Sequence, residues 1–257
     1  MYQQLAPIIS NQEVMTGTYL MRIESPQIAV AAKPGQFAMI TCVSGHERLL
    51  RRPISIHQVN GTTLDILFAR VGSGTTWLAH HSAGEKVDIL GPVGRGFSIT
   101  DGASRLLLIA GGMGIAPLCF LAQEALRENL HVRILAGART ACQMCPDALI
   151  PAGCEVFSVT EDGTRGTRGL VTGLLPDHLQ WADQIFICGP LPMFKAISRD
   201  YSQNIRGKSV QVSLEVRMGC GLGFCYACTI KTLKGLQQVC KDGPVFNFHD
   251  IVWDELK

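Results

Sequence analysis

The first part of the chain alternates apolar and polar residues, which is the pattern of half-buried β-strands. From Thr16 to about Phe97 the alternation is clearest in Thr18–Ile23, Gln36–Cys42 and Thr63–Ala69. Turns rich in Gly, Pro and Asn separate these segments. Short strands at this spacing predict a small β-barrel.

The periodicity changes at about Arg105. Leu106–Ala110 is a continuous apolar run typical of a buried strand, Pro117–Asn129 has the periodicity of a helix, and His131–Ala136 is again strand-like. This order predicts a βαβ unit, which further strands and helices extend into a doubly wound parallel sheet. The additional predicted strands are Cys154–Val159 and Gln184–Cys188, and the additional helices lie near Gly169–Leu175 and Leu191–Gln203.

Beyond about Val212 neither periodicity persists, while glycine and cysteine become frequent. A tail organised by a metal fits this change. We therefore predict three units: a FAD-binding β-barrel domain in residues 1–100, an α/β doubly wound NAD-binding domain in 101–212, and a small [2Fe–2S] domain in 213–257. The length of 257 residues suits two compact domains with a small appendage.

Composition and charge exclude several classes of protein. With 47% hydrophobic and 17% charged residues the chain is globular rather than disordered, and a net charge of +2 without basic runs predicts neither nucleic-acid nor membrane-surface binding. Leu106–Gln123 is uncharged and long enough for a bilayer, but three glycines and Pro117 inside it predict a strand, a turn and a helix instead. No export signal opens the sequence, so we expect a cytoplasmic protein with reduced cysteines.

Four of the ten cysteines follow the spacing C-x4-C-x2-C with one further Cys after eleven residues, namely Cys220, Cys225, Cys228 and Cys240. This is the spacing of plant-type ferredoxins. The glycines between them allow a loop to wrap closely around a cluster and to aim thiolates and N–H groups at its sulfurs. We predict a [2Fe–2S] site. Structural zinc is the alternative, although zinc sites usually pair two C-x2-C knuckles.

A second C-x2-C, formed by Cys142 and Cys145, has no other pair nearby and no redox-helix context. We interpret it as a coincidence within a loop. The remaining cysteines lie within or beside apolar runs, where free thiols are usually small buried side chains, and they receive no ligand role: Cys42, Cys119, Cys154 and Cys188.

Two segments of the predicted barrel suggest a flavin diphosphate. Arg52-Pro53-Ile54-Ser55 offers a cation for phosphate and a hydroxyl for the ring edge, and Gly72-Ser73-Gly74-Thr75-Thr76 offers glycine N–H groups for the pyrophosphate. Each segment alone is equally consistent with a surface turn.

The predicted α/β domain contains two nucleotide-binding signals. Gly112-x-Gly114-x-x-Pro117 follows a predicted strand and opens a helix, whose free N–H groups attract phosphate. Its third position is Pro rather than Gly or Ala, and no acid ends the next strand near Arg139, which leaves the choice between NAD and NADP open. Cys188-Gly189-Pro190 ends a predicted strand, where such sheets bind ligands; a buried strand end is the alternative.

Taken in order, these motifs resemble the ferredoxin-reductase-like superfamily over almost the whole chain, and the four-cysteine tail resembles the electron-transfer subunits of B-type dihydroorotate dehydrogenases. The resemblance implies FAD contacts at the following residues: Arg52, Pro53, Ile54, Ser55, Leu67, Phe68, Ala69, Gly74 and Thr75. It also implies nucleotide contacts, namely at Gly112, Gly114, Pro117, Arg139, Asp162, Cys188, Gly189 and Pro190.

The resemblance further implies a function and a partner. A catalytic FMN subunit would oxidise dihydroorotate to orotate, and this chain would pass the electrons through the [2Fe–2S] cluster and FAD to NAD, within an α2β2 heterotetramer of pyrimidine biosynthesis. We assign no catalytic acid, base or nucleophile, because the cofactors carry the chemistry. The alternatives are a reductase subunit of a hydrogenase, sulfite reductase or NADPH–ferredoxin oxidoreductase, and a non-catalytic interaction module stapled by zinc.

Overall fold

The computed structural model describes residues 1–42 and 50–256. Its first part is a closed antiparallel barrel with the strand order β1-β2-β5-β4-β3-β6. The strands are β1 (Tyr2–Met15), β2 (Thr18–Glu24), β3 (Phe37–Ile40), β4 (Arg52–Asn60), β5 (Thr63–Ala69) and β6 (Lys86–Val93), and two short helices accompany them, α1 (Pro26–Ala31) and α2 (Ser73–Ala79). The prediction of a β-barrel is confirmed.

Strand β1 was not predicted from the periodicity. Its first half, Tyr2–Pro7, pairs with β6, and its second half, Ile8–Met15, pairs with β2 through two irregularities in register. Each irregularity changes which side chains face the core, because the side-chain period of a strand is two. A single alternation therefore does not run along these fourteen residues.

The second part of the chain is a sheet with the strand order β10-β9-β8-β7-β11-β12-β15. All neighbours in it are parallel except β12 and β15. Its strands are β7 (Arg105–Gly111), β8 (His131–Ala138), β9 (Glu155–Thr160), β10 (Thr167–Arg168), β11 (Gln184–Cys188), β12 (Ser209–Ser213) and, from the tail, β15 (Val245–Asn247), and its α-helices are α3 (Ile115–Arg127), α4 (Leu175–His178) and α5 (Leu191–Tyr201).

The predicted doubly wound sheet is confirmed, with local differences. Helix α3 begins at Ile115, so Pro117 lies in its first turn, where a missing N–H is harmless. The helix predicted near Gly169–Leu175 is instead a 3-10 turn, Val171–Leu174, followed by the single turn of α4. Gly169 has a φ of 145°, which no helix accommodates.

The tail contains strands that its sequence pattern did not predict. β13 (Thr229–Thr232) and β14 (Gly235–Gln238) form a two-stranded hairpin, and β15 adds an antiparallel edge to the large sheet. Cys228 and Cys240 are buried in the same apolar cluster as one face of that sheet. The tail is therefore packed onto the nucleotide-binding sheet and does not project from it.

Strand β7 shows how the sheet is covered on both faces. Leu107 and Ile109 pack into one apolar cluster, whereas Leu106, Leu108 and Ala110 pack into another on the opposite face. Parallel strands buried on both faces read as continuous apolar runs, which explains the uncharged segment in the sequence. Among the residues described, no helix is both long and apolar enough to cross a membrane.

Candidate functional site

The barrel wall opens where the predicted flavin segments lie. The recorded pairing between β4 and β5 ends at Ile56–Ile66. Beyond that point Arg52–Ser55 pairs with β3, and Leu67–Ala69 pairs with β2 on its other side. Along these two segments, therefore, β4 and β5 do not hydrogen bond to each other. Backbone N–H and C=O groups on the facing edges are then available to the edge of a flavin ring.

Arg52 and Gly74 come together beside this opening. A Cβ on Gly74 would lie 3.2 Å from Arg52 Nε, so the glycine allows α2 to approach the guanidinium. Arg52 donates to the carbonyl of Leu50 at 2.7 Å, and it forms no salt bridge with any carboxylate that the structure describes. An arginine without an acidic partner suits a diphosphate. Thr75 instead caps α2, since its Oγ1 accepts the N–H of Val71 at 3.0 Å.

Leu67, Phe68 and Ala69 differ in what they present. The Phe68 ring is 4% exposed and stacks on Tyr19 with 5.8 Å between centroids, inside the barrel core. Leu67 is also buried, in the cluster shared with the nucleotide-binding sheet, whereas Ala69 is half-buried. A flavin at this opening would therefore meet the backbone of these residues rather than the Phe68 ring.

The two nucleotide motifs converge between β7 and β11. These neighbouring strands are followed by connections that run to opposite sides of the sheet, which makes this the switch point where such folds bind nucleotides. Gly112 is exposed with a φ of 53°, and it leads into α3. A Cβ on Gly114 would overlap the carbonyl of Cys188, so these two turns are packed backbone to backbone.

Arg139 and Asp162 lie together at the carboxyl ends of β8 and β9. The Asp162 N–H donates to the Arg139 carbonyl at 3.2 Å, and both residues are exposed. The Asp162 carboxylate accepts the Thr164 hydroxyl at 2.7 Å and the Thr164 N–H at 3.0 Å, which lowers the pKa of Asp162. That carboxylate is therefore already engaged in its own turn.

Glu215 belongs to this edge and was missed in the sequence. It follows β12 and is partly in contact with solvent. The buried part of its carboxyl group is desolvated, which raises the pKa of Glu215. Within the described residues its side chain has no recorded hydrogen bond or ion pair. Burial and the nearby Glu215 raise the pKa of the Cys188 thiol, which hydrogen bonds to Ser213. The sequence signal that could have identified Glu215 is an acidic residue just after a strand, at the edge of the sheet where such folds bind ligands.

The four cysteines of the tail are arranged as two pairs. Cys225 Sγ accepts the Cys220 N–H at 3.4 Å, and Cys228 Sγ accepts the Cys240 N–H at 3.4 Å. Burial and the Cys228 thiol raise the pKa of Cys240 to about 12. No three His, Cys, Asp or Glu side chains in the described ranges converge as they would around one metal ion. Four cysteine thiols match the ligand set of a [2Fe–2S] cluster, and structural zinc can take the same four thiolates.

The loop around Cys220 supplies N–H donors to sulfur. Leu222 and Phe224 both donate to Cys220 Sγ at 3.3 Å. Burial raises the pKa of the Cys220 thiol, but these donors together with Cys225 outweigh burial and lower the pKa to about 6. Donors that stabilise a thiolate also stabilise the negative charge of an iron–sulfur cluster. The donor set of this loop therefore fits the predicted group.

The cluster loop lies directly against the flavin barrel. Gly221 has a φ of 71°, and a Cβ on it would lie 2.6 Å from Met39 Sδ. Met39 is fully buried in β3 and pairs in register with Pro53 of the predicted FAD segment. The cysteine loop thus contacts β3, the neighbour in the barrel of the strand that carries Arg52–Ser55. This contact brings the predicted cluster and flavin sites together.

The second C-x2-C places its thiols in different surroundings. Cys142 is exposed, whereas Cys145 is buried and hydrogen bonds to the thiol of Cys119 on helix α3. Cys42, Cys119 and Cys188 are buried, and Cys154 is half-buried. The interpretation that none of them is a metal ligand stays a prediction.

Two family models match this chain. The iron–sulfur cluster binding domain of dihydroorotate dehydrogenase B matches residues 215–252, and an oxidoreductase NAD-binding domain matches residues 108–199. The dihydroorotate dehydrogenase B (NAD(+)) electron transfer subunit of Desulforamulus reducens is 38% identical over 97% of this chain and 98% of its own length. The subunit of the same name from Geobacillus thermodenitrificans is 34% identical, over 95% and 96%.

Solved structures share the fold. An NADH-dependent reduced ferredoxin-NADP oxidoreductase, studied for flavin-based electron bifurcation, superposes with a TM-score of 0.86 at 26% identity, over 98% of this chain and 91% of that one. A ferredoxin NADP+ reductase from Neisseria gonorrhoeae, with bound FAD and NADP, has a TM-score of 0.65 at 17% identity, over 80% and 91%. The second likeness concerns the fold alone.

Proposed function

Since the chain belongs to the family of electron transfer subunits of dihydroorotate dehydrogenase B, we propose that it relays electrons from an FMN-containing catalytic subunit to NAD+ in pyrimidine biosynthesis. When bound, FAD exchanges a hydride with NAD(H) and single electrons with a [2Fe–2S] cluster, so it links a two-electron carrier to a one-electron carrier. The contact of Gly221 with Met39, beside Pro53, is the observation that carries the proposal.

We assign the binding tasks by segment. Residues 1–100 hold FAD, with Arg52 as the diphosphate ligand and the backbone of Leu67–Ala69 along the ring. Residues 101–212 hold the nucleotide, with its pyrophosphate at Gly112–Gly114 and the start of α3. The exposed Gly112 and the switch point between β7 and β11 support this placement.

Residues 213–257 hold the cluster through two pairs of thiolates, which are Cys220 with Cys225 and Cys228 with Cys240. The N–H groups of Leu222 and Phe224 stabilise its charge and so set its potential. The reduced thiols that these ligands require agree with a cytoplasmic location.

The catalytic subunit would dock over the exposed side of the cysteine loop. Phe224 is 80% and Tyr226 68% exposed, on either side of the exposed Cys225. Aromatic side chains surrounded by polar surface are typical of protein interfaces. We propose an α2β2 assembly in which this surface faces the partner, so that electrons enter the chain beside the cluster.

The test is co-expression with the catalytic subunit of the same genome and anaerobic purification of the complex. The proposal predicts iron, labile sulfide and FAD in the product, together with dihydroorotate-dependent reduction of NAD+. Cys225→Ser is expected to abolish the cluster and this activity while FAD remains, whereas Cys142→Ser is the matched control at an exposed thiol outside the site. A complex that contains zinc but neither FAD nor iron with labile sulfide would refute the proposal.

A further inference from the structure

A band of hydrogen bonds joins the barrel to the nucleotide-binding sheet. It arises from four consecutive residues at the end of β4, His57–Asn60. The His57 ring Nδ1 lies 3.1 Å from the carbonyl oxygen of Ala116 in α3, and Gln58 Nε2 donates to the carbonyl of Leu149 at 3.4 Å. The register between β4 and β5 is irregular between Ile56 and Gln58, so both side chains reach the nucleotide-binding part of the chain.

Gln123 of α3 completes the band with both ends of its amide. Its Oε1 accepts the backbone N–H of Val59 at 3.2 Å, and its Nε2 donates to Asn60 Oδ1 at 3.3 Å. A side chain bonded to two successive residues of a strand restrains sliding as well as rotation of the helix against that strand. The bond to Val59 is partly shielded from water, whereas the bond to Asn60 is exposed.

Each side of the band leads to a predicted cofactor segment. The same strand β4 begins with Arg52–Ser55, and helix α3 begins directly after Gly112–Gly114. Gln123 lies nine residues after Gly114, which is about 13 Å along a helix. A strand and a helix of this length are stiff, so their mutual attachment determines how far apart their ends lie.

The buried ring of His57 indicates that this attachment is specific. The side chain is fully buried, and burial lowers its pKa, so the ring is neutral. The Nδ1–H tautomer donates to Ala116, and Nε2 then has no partner among the described residues. An apolar side chain would avoid leaving a buried nitrogen unpaired, which is destabilising. The bond to Ala116 therefore orients α3 and does not simply fill space.

We propose that Gln123 and His57 are positioning residues for hydride transfer: they touch neither cofactor, but they fix β4 against α3 and thereby set the separation of flavin and nicotinamide. When NADH reduces the flavin, the C4–H bond of NADH breaks, its hydride forms the N5–H bond of the flavin, and NAD+ is left; the relay to NAD+ proposed above uses the reverse transfer. The inference rests on the function proposed above.

Gln123→Ala in the full, cofactor-loaded chain tests it. We expect flavin reduction by NADH, followed by rapid anaerobic mixing, to slow by roughly 10-fold, because misplacement of reactants by a fraction of an ångström is costly. FAD content and NADH affinity should be unchanged, since Gln123 binds neither. Amide hydrogen exchange at Val59 should accelerate, because its N–H loses its acceptor. Glu128→Ala, an exposed change on the same chain segment, is the control and should leave both readouts at wild-type values.

His57 gives an independent pair of variants. Asparagine retains a donor near the position of Nδ1, so His57→Asn should preserve the reduction rate, whereas His57→Leu should slow it as Gln123→Ala does. If His57→Leu does not fold, the Gln123 result decides alone. Reduction of Gln123→Ala at the wild-type rate would overturn the inference, whatever Val59 does. Failure of NADH to reduce the wild-type flavin would instead overturn the proposed function, and the inference with it.

Discussion

Gly114 lies backbone to backbone against Cys188, so closely that a Cβ on the glycine would occupy the position of the Cys188 carbonyl. This relationship joins the turn after β7 to the turn after β11, and neither turn can move away because both end buried strands. Any residue with a Cβ at position 114 would therefore have to displace the main chain at Cys188.

Gly114→Ala is expected to destabilise the nucleotide-binding sheet by about 1–3 kcal/mol, the usual cost of overpacking, and to weaken NADH binding. FAD and iron contents should remain at wild-type levels, because the atoms nearest to the added methyl group belong to the backbone of Cys188 and Gly189. Thermal unfolding and NADH titration measure the two effects. The control is Gly173→Ala, where nothing lies within 4 Å of the added methyl group and no change is expected. Equal behaviour of the two variants would contradict the packing argument.

A second prediction concerns Gly221, where the cluster loop meets Met39 of the barrel. Gly221→Ala should push the loop away from β3 and slow electron transfer between flavin and cluster, measured as cluster reduction after rapid mixing with NADH. Gly235→Ala is the matched control, because that glycine also has a positive φ, 101°, but no neighbour within 4 Å. Backbone strain is common to both variants, so a slower transfer in only the first isolates the contact with Met39.

The sequence predicted those features that depend on local pattern. The continuous apolar run Leu106–Ala110 predicted a buried strand, and the structure buries it on both faces. The cysteine spacing predicted a shared site for four cysteines, which the structure arranges as two pairs. Strand β1 was not predicted, because its two halves pair with different neighbouring strands and the buried face changes in the middle of the strand. That pairing is set by closure of the barrel, which no short window of sequence contains.

The candidate site was predictable as segments but not as an assembly. Nothing local links Gly221 to Met39, or Gln123 to Val59, since these contacts join residues far apart in the chain. For Phe68 the motif suggested a flavin contact, but the ring packs in the barrel core. A motif position thus does not indicate where the side chain points. The residue contacts proposed for FAD and NAD stay predictions.

The exposed aromatic residues of the cysteine loop lead to a prediction about assembly. Phe224→Asp should weaken association with the catalytic subunit by roughly 10-fold or more, because a charge would be placed in the proposed interface core. Val30→Asp is the control, since Val30 is 82% exposed on α1 of the barrel. Analytical ultracentrifugation of the co-expressed complexes gives the comparison, with iron content measured to verify that the loop is intact. Loss of assembly in both variants, or in neither, would argue against docking at the cysteine loop.

The buried imidazole of His57 makes stability depend on pH in a defined direction. Burial lowers its pKa in the folded chain, although the Ala116 backbone, the Asp65 charge and the Leu149 backbone oppose this, while the unfolded chain keeps a value of about 6.5. Above that pH both states are neutral and the group has no effect; below it the unfolded state takes up a proton that the folded state resists. The free energy of unfolding should therefore fall by up to about 1.4 kcal/mol per pH unit as the solution is acidified below about pH 6.5.

His57→Asn keeps a donor to Ala116 without a titrating group, so its urea midpoint should fall less steeply between about pH 6.5 and pH 5. Carboxylates that do not interact with His57 titrate in both proteins and cancel in the difference, whereas Asp65 acts on His57 itself. Parallel midpoint curves would show that His57 becomes protonated in the folded chain as readily as in water, and that α3 is not held by a neutral ring.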